Sequence, residues 1–436
     1  MNAKPGIGAR LWSALLLLGL AGQFAWTIEN MYFNVFLYNT ISTDPGYIAA
    51  MVAASAIVAT LTTLLMGVVS DRTGMRKPFI CGGYLLWGLS TMAFGLVTVE
   101  NAALLFPGAN AIAVAAIMVI ALDCIMTFFG STANDAAFNA YVTDVVDSSV
   151  RGKVESVLSI LPLLSMLIIF GLFDGMTQAG QWRQFFFIFG IVVIITGIVS
   201  LFVLKEADIQ PERKPFFSQL VYGFRPSVVS QHKALYLSLA AMCVFSIAVQ
   251  VFFPYLIIYM QHYLQLDAYA IVLGVVLIVA SLVSVIGGRL IDKVGKLRFA
   301  IPAALIMLVG LIAMFFVRQM LTVILAGMVM MSGYMLLTSA LMAQIRDLTP
   351  PEKAGHFQGI RMVFSVMLPM IIGPAIGAQV IKGNAQTYVD LGQTKTVPTP
   401  EIFLAAAVVL LLTAIPLWFL HRNQKKQALK EEETAC

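Results

Sequence analysis

The sequence predicts an all-α membrane protein whose twelve transmembrane helices form two pseudo-symmetric bundles of six. Composition is the first of three observations behind this fold class, because 60% of the 436 residues are hydrophobic and only 11% are charged. Soluble domains contain about 45–50% apolar and about 25% charged residues, so a soluble multidomain enzyme is excluded. Membrane barrels would show strands of alternating apolar and polar residues, and the sequence has no such alternation.

The second observation is a series of twelve long apolar segments. A helix needs about 20 predominantly apolar residues to cross the hydrocarbon core of a bilayer. Charge clusters and Pro or Gly breaks place these segments at residues 11–38, 46–69, 79–99, 111–143, 153–173, 183–204, 234–260, 268–290, 299–317, 321–345, 356–381 and 400–420. An even number of spans puts both termini on the same side of the membrane.

The distribution of basic residues predicts which side that is. Of the 27 Lys and Arg residues, all but Arg183, Arg318, Lys382 and Lys395 lie on the side that holds the termini. Short cytoplasmic loops carry the excess of Lys and Arg, so both termini are predicted to be cytoplasmic. The longest internal polar stretch then divides the chain into an N-terminal bundle (1–204), a central cytoplasmic loop (205–233), a C-terminal bundle (234–420) and a cytoplasmic tail (421–436).

The third observation is a motif that recurs at equivalent places in the two halves. Both copies read Gly, three residues, Asp, a base, one residue and Gly, followed by more bases. They comprise Gly67, Asp71, Arg72, Gly74 and Arg76 after span two, and Gly288, Asp292, Lys293 and Gly295 after span eight. A second repeat links the loops after spans four and ten, where Asp144 and Asp347 each stand eight residues before a glycine.

The paired loop resembles the motif of the major facilitator superfamily, and the resemblance covers nearly the whole chain. It implies two six-helix halves that rock about a solute site near the middle of the membrane. An acidic side chain such as Asp71 is stabilised against a helix N-terminus, so it could latch one state and release it in the other. The predicted gating residues are the nine residues of the paired loops together with Asp144 and Arg151. The alternative is that the basic residues of these loops only determine the orientation of the spans in the membrane.

Two shorter segments narrow the resemblance. Span one contains Gln23-Phe24-Ala25-Trp26-Thr27-Ile28-Glu29, and the loop after span two ends in Arg76-Lys77-Pro78-Phe79-Ile80. This pairing looks like the sucrose-type transporters and the glycoside-pentoside-hexuronide:cation symporter group. The resemblance implies cation-coupled sugar transport across the plasma membrane. Sodium-coupled members carry paired aspartates in the second helix, whereas residues 51–69 contain no carboxylate, so protons are favoured as the coupling ion and sodium is left open.

Acidic residues inside the apolar spans are the main candidates for function. A carboxylate in the bilayer core costs at least about 2.5 kcal/mol, so it should face a cavity. Asp123, Asp135 and Asn139 share one polar arc of span four at about 100° per residue. Asp135 and Asn139 are predicted to bind solute, Asp135 sitting where melibiose-type relatives place a sugar-binding aspartate; Asp123 and Asp135 are candidates for proton coupling. Hydrogen bonding between packed helices is the alternative.

Span one carries a second polar stripe. Gln23, Asn30 and Asn34 lie within about 60° of each other and are predicted to bind solute. Glu29 lies roughly 100° around from Asn30, where it either borders the cavity or pairs with a neighbouring helix. Its burial suits a proton carrier. In the second half Gln250 is the best candidate for solute binding, and Asp174 is expected to lie at the surface beyond span five.

These residues predict a secondary transporter that works by alternating access and takes up a sugar or glycoside with protons. The sequence contains no phosphate-binding loop or hydrolase motif, so no catalytic residue, metal or cofactor is expected. The expected partners are the lipid bilayer and a small solute, with no nucleic acid and no obligatory protein partner. Two alternatives stay open: a transporter of another solute, such as a drug efflux protein, and a non-transporting membrane sensor.

Overall fold

A computed structural model describes residues 8–146, 150, 154, 157–206, 222–350, 354–383, 387–390 and 393–423. The twelve predicted spans are confirmed, since twelve helices in this part of the chain are long and apolar enough to cross a membrane. They are Ala9–Ile41, Pro45–Thr73, Lys77–Leu96, Ala111–Val145, Leu161–Gln178, Trp182–Val203, Lys233–Tyr263, Tyr269–Gly288, Lys296–Phe316, Met320–Leu348, Gly359–Gly383 and Glu401–Asn423, numbered spans 1 to 12 below.

The chain forms two compact units, Met1–Lys214 and Pro215–Cys436, each with six of the spans. Within the predicted central loop, the short helices Tyr222–Phe224 and Pro226–Gln231 precede span 7. Residues 207–221 of that loop and residues 424–436 of the predicted tail lie outside the described residues.

Two further elements lie between spans. A short helix, Val99–Leu105, connects spans 3 and 4, and its N-terminus is capped by the side chain of Thr98. Strands Thr387–Asp390 and Gln393–Thr396 pair in an antiparallel hairpin between spans 11 and 12, with Thr387 opposite Thr396. The all-α prediction did not include this hairpin, although Thr, Tyr and Val favour strands where the chain is too polar to remain in a membrane helix.

Glycines let spans 3 and 6 approach closely in the first unit. A Cβ at Gly88 would lie 2.5 Å from the Gly190 carbonyl oxygen and 2.8 Å from the Ile194 nitrogen. Small residues commonly permit this contact between membrane helices. In the second unit spans 9 and 10 meet in the same way, because a Cβ at Gly310 would lie 2.3 Å from the Met330 nitrogen.

We expect Gly88→Ala to destabilise the first unit by about 1–3 kcal/mol, because the new methyl group meets backbone atoms that cannot move without separating the helices. Gly82→Ala is the matched control in the same span, since a Cβ there meets no described atom within 4 Å. Thermal unfolding of the purified protein in detergent checks this. Equal melting temperatures for the two variants would contradict the close packing of spans 3 and 6 at Gly88.

Several spans contain π-helical turns, which are wider than α-helical turns. They lie at Ile28–Tyr32 and Leu37–Ile41 in span 1, Ser131–Phe138 in span 4, Ile169–Phe173 in span 5, Tyr259–Tyr263 in span 7 and Val363–Met367 in span 11. Such turns are rare and frequently mark functional sites. Those in spans 1 and 4 contain Glu29 and Asp135.

Candidate functional site

Three of the carboxyl groups inside the first unit belong to spans 1 and 4. Glu29 is 8% exposed and Asp123 is 1% exposed, whereas Asp135 is half-buried. The Glu29 carboxyl interacts electrostatically with each of the two aspartates, which stand about 18 Å apart along the axis of span 4 at about 1.5 Å per residue. Glu29 therefore lies within electrostatic range of both other residues that the sequence predicted for proton coupling.

Some oxygen atoms of these three carboxyl groups have no hydrogen-bond partner. The Thr127 hydroxyl donates to Glu29 Oε1 at 3.0 Å, and Ser55 of span 2 lies within hydrogen-bonding reach of Asp123. Glu29 Oε2 and Asp123 Oδ1 are buried without a hydrogen-bond partner. Within the described residues, no Lys or Arg forms a salt bridge with any of the three.

Asp135 and Asn139 occupy the more accessible part of span 4. The Ser131 hydroxyl donates to Asp135 Oδ2 at 3.1 Å, and the Asn139 amide donates to the Asp135 backbone carbonyl at 3.2 Å. Asn139 is exposed and Asp135 is half-buried, so both present polar atoms to a solute that reaches this face.

Aromatic side chains from spans 1 and 3 pack beside the carboxyl groups. The Trp26 indole donates to Asn134 Oδ1 at 3.3 Å, and the Asn134 amide donates to the Tyr84 hydroxyl at 2.8 Å. Tyr84 in turn donates to the Leu18 carbonyl at 2.7 Å. Gly22 is required here, because a Cβ would lie 2.4 Å from Asn134 Nδ2. The network fixes the orientation of Trp26.

In the predicted polar stripe on span 1, two side-chain amides donate hydrogen bonds to backbone carbonyl groups of the same helix. Asn30 donates to the Trp26 carbonyl at 2.8 Å, and Asn34 donates to the Asn30 carbonyl at 2.9 Å. Asn34 is buried and its Oδ1 has no partner, whereas Asn30 is exposed and Gln23 is half-buried. In the second unit, the predicted Gln250 lies on span 7 and packs against Gly373 of span 11.

The expectation that Asp174 lies at the surface was wrong. Asp174 is 2% exposed, because span 5 continues to Gln178 and buries it against span 1. The Tyr32 hydroxyl donates to its Oδ1 at 2.9 Å, and the Gln178 amide donates to its Oδ2 at 2.7 Å. A side-chain donor on another helix therefore stabilises this charge.

The loop after span 2 forms a compact ionic cluster around Arg76, which is 4% exposed. Its guanidinium lies 2.6 Å from Asp71, 2.9 Å from Asp144 at the end of span 4, and 2.8 Å from the Ser70 hydroxyl. Burial alone would lower the pKa of Arg76, but bonding to Asp144 and Asp71 outweighs it and raises the pKa above its ordinary value. The predicted gating residues Asp71, Arg76 and Asp144 are thus in direct contact.

The gating residues predicted from the sequence did not include two further groups, one beside this loop and one in the second unit. Glu206 Oε1 accepts hydrogen bonds from the backbone N–H groups of Arg76, at 2.6 Å, and Lys77, at 3.1 Å. An acidic side chain therefore lies at the N-terminus of span 3. In the second unit Lys296 forms a salt bridge with Asp347 at the end of span 10. Asp347 is equivalent to Asp144, whereas Lys296 follows its glycine directly and so stands one position before the equivalent of Arg76; the repeated Asp spacing after spans four and ten was the available signal.

The remaining predicted gating residues are less informative. Gly74 and Gly295 have φ of 65° and 94°, a conformation that only glycine adopts without strain, so both loops require their second glycine. A Cβ at Gly67 or Gly288 meets no described atom within 4 Å, and Arg72 and Lys293 are exposed. Arg151 and the side chain of Asp292 lie outside the described residues.

Twelve membrane-spanning helices in two units, with acidic residues inside the first, are the features of a polytopic membrane transporter. A model of the Major Facilitator Superfamily matches residues 15–374, and the chain belongs to that family. It is therefore a membrane transporter of the major facilitator type.

Two bacterial proteins are similar to the chain in sequence. Multidrug resistance protein 2 of Bacillus subtilis (strain 168) is 25% identical over 339 residues, which cover 75% of this chain and 78% of that protein. The uncharacterized MFS-type transporter YddS of the same strain is 22% identical over 387 residues, covering 84% and 81%.

Two solved structures share the fold. One is the nucleoside transporter NupG, with a TM-score of 0.72, 11% identity, and coverage of 94% of this chain and 99% of that one. The other is the xylose transporter XylE from E. coli, with a TM-score of 0.68, 14% identity, and coverage of 94% and 98%.

Proposed function

We propose that this transporter takes up a small hydroxyl-rich solute, a sugar or glycoside, together with protons. The observation that carries the coupling is the group formed by Glu29, Asp123 and Asp135. Carboxyl groups inside a membrane bundle are costly and commonly form proton relays. With no basic partner for them among the described residues, proton binding is the means of neutralising their charge.

The solute class follows from the surroundings of Asp135. A carboxylate and an amide on one accessible face can accept and donate hydrogen bonds to sugar hydroxyls, while Trp26 offers a ring for an apolar sugar face. The resemblance of the Gln23–Glu29 segment and the Arg76–Ile80 segment to the glycoside-pentoside-hexuronide:cation symporter group supports the same class. The excess of basic residues at one end of the spans supports cytoplasmic termini in the plasma membrane.

Drug efflux is the second candidate function, and one specific observation favours it. The chain is 25% identical to Multidrug resistance protein 2 over 75% of its length. An efflux protein would exchange protons for an amphipathic substrate, so protons would move in the direction opposite to that of the substrate. The two functions therefore differ in whether protons and substrate cross the membrane in the same direction or in opposite directions, and this difference can be measured.

The test is the pH of an unbuffered suspension of cells that express the protein, recorded while mono- and disaccharides are added one at a time. We expect transient alkalinisation with at least one sugar, because symported protons leave the medium. Asp135→Asn should abolish this signal, since it removes a charge that faces the solute.

The control is Glu100→Gln, which neutralises an exposed carboxyl group in the same unit. It should leave the signal unchanged. Silence across the sugars, in cells where the protein is verified in the membrane, would contradict sugar–proton symport for those solutes. Reduced accumulation of a lipophilic cationic dye, with no response to sugars, would establish efflux instead.

A further inference from the structure

An apolar crevice with a basic rim lies at one end of the second unit. It has a volume of about 530 Å³ and is walled by Phe224, Val229, Leu237, Ala240, Ile360 and Phe364. These residues come from the two short helices before span 7, from span 7 itself and from span 11. The crevice therefore lies where membrane helices end, at the level of a bilayer surface.

The crevice is held open by contacts within the unit. The Tyr236 hydroxyl of span 7 donates to the Gly223 carbonyl, which attaches the preceding short helices to the start of span 7. Phe357 contacts the rings of both His232 and Tyr236 and fixes the neighbouring segment of the chain. Phe224 nevertheless remains 47% exposed, so an apolar surface is left uncovered at the mouth.

One described residue of the crevice lining, Lys233, is charged. Lys233 and Asn423 line the crevice, and among the described residues its lining includes no acidic side chain. Among the described residues Lys233 has no salt bridge, and span 7 begins at Lys233 without a side-chain cap on its N-terminal N–H groups. A lysine ammonium and a helix N-terminus both attract anions.

We propose that this crevice binds an anionic phospholipid of the surrounding bilayer. One acyl chain lies along the apolar wall between spans 7 and 11, and the phosphate contacts Lys233 and the N-terminus of span 7. Basic pockets between transmembrane helices bind anionic lipid headgroups in this manner. A soluble anion would leave the apolar wall exposed, and an uncharged lipid would leave Lys233 without a partner.

The experiment is native mass spectrometry of the full-length protein in neutral detergent. Dioleoyl phosphatidylglycerol and dioleoyl phosphatidylcholine, which differ only in the headgroup, are titrated separately. We expect at least about fivefold tighter binding of phosphatidylglycerol, the effect of one lysine at a membrane surface. Lys233→Gln should reduce the two affinities to near equality.

Two variants and one competitor make the result specific. Arg298→Gln removes an exposed charge at the start of span 9, away from the crevice, and should preserve the preference. Ala240→Phe fills the crevice and should weaken phosphatidylglycerol binding. Glycerol 3-phosphate should not displace the lipid. Equal affinities in the unaltered protein, an unchanged preference in Lys233→Gln, or displacement by glycerol 3-phosphate would each overturn the proposal.

Discussion

Replacing Arg76 by alanine is expected to destabilise the first unit by about 2–3 kcal/mol. Removing one partner of a buried ion pair costs about 3–5 kcal/mol when the remaining charge stays buried. Here Asp71 is 46% exposed and regains water, which makes the loss smaller. Asp144 is 25% exposed and loses its ion pair with Arg76, while the Ser70 hydroxyl loses the guanidinium bonded to it. Thermal unfolding of the detergent-purified protein measures the change.

Lys77→Ala is the matched control, because it deletes the adjacent positive charge. It leaves intact the backbone N–H group that donates a hydrogen bond to Glu206. We expect a change within about 0.5 kcal/mol, as for surface substitutions away from special features. Arg76→Lys should fall between the two, since a lysine keeps the charge without the planar fork that reaches both carboxylates. A melting temperature of Arg76→Ala equal to that of Lys77→Ala would show that the cluster does not stabilise the unit.

Replacing Glu29 by glutamine is expected to reduce solute-driven proton uptake to the level of cells that lack the protein. Glutamine has nearly the same shape and can still accept the hydrogen bond from Thr127. It cannot bind and release a proton, so the variant tests charge rather than packing. The measurement is the alkalinisation that the preferred sugar produces in unbuffered cells.

Solute exchange separates a coupling defect from a folding defect. Proteoliposomes that are preloaded with unlabelled sugar take up labelled sugar without net proton movement. Glu29→Gln should retain this exchange, and a variant that fails to fold would lose it. If Glu29→Gln still moved protons while Asp123→Asn did not, the carrier would be Asp123 instead.

Most of the fold could be predicted because the bilayer imposes a strong rule on length and polarity. Each of the twelve spans was visible as an apolar segment, and differences occurred at the ends. Span 5 was predicted at 153–173, whereas the helix runs Leu161–Gln178. Pro162 stands in its first turn, and the acid at its far end is stabilised by Tyr32. A charged residue thus suggested the end of a helix that in fact continues.

The candidate site was harder to predict, because its geometry depends on wide helical turns. A fixed period of about 100° per residue placed Glu29 away from the centre of the span 1 stripe. The sequence left open whether Glu29 borders the cavity or pairs with a neighbouring helix, and the structure shows the Thr127 hydroxyl of span 4 donating to Glu29 within the π-helical turn Ile28–Tyr32. The acids themselves were recognisable in the sequence, whereas the partner of each acid was not.

The coincidence of wide turns with ionisable groups has a mechanical consequence. Helices bend most readily where regular backbone hydrogen bonding is interrupted, so Ile28–Tyr32 and Ser131–Phe138 are expected points of bending in spans 1 and 4. Glu29 and Asp135 lie within these two turns. If these carboxyl groups bind and release protons as proposed, the change of charge would act within the same turns, without a long chain of intermediate contacts.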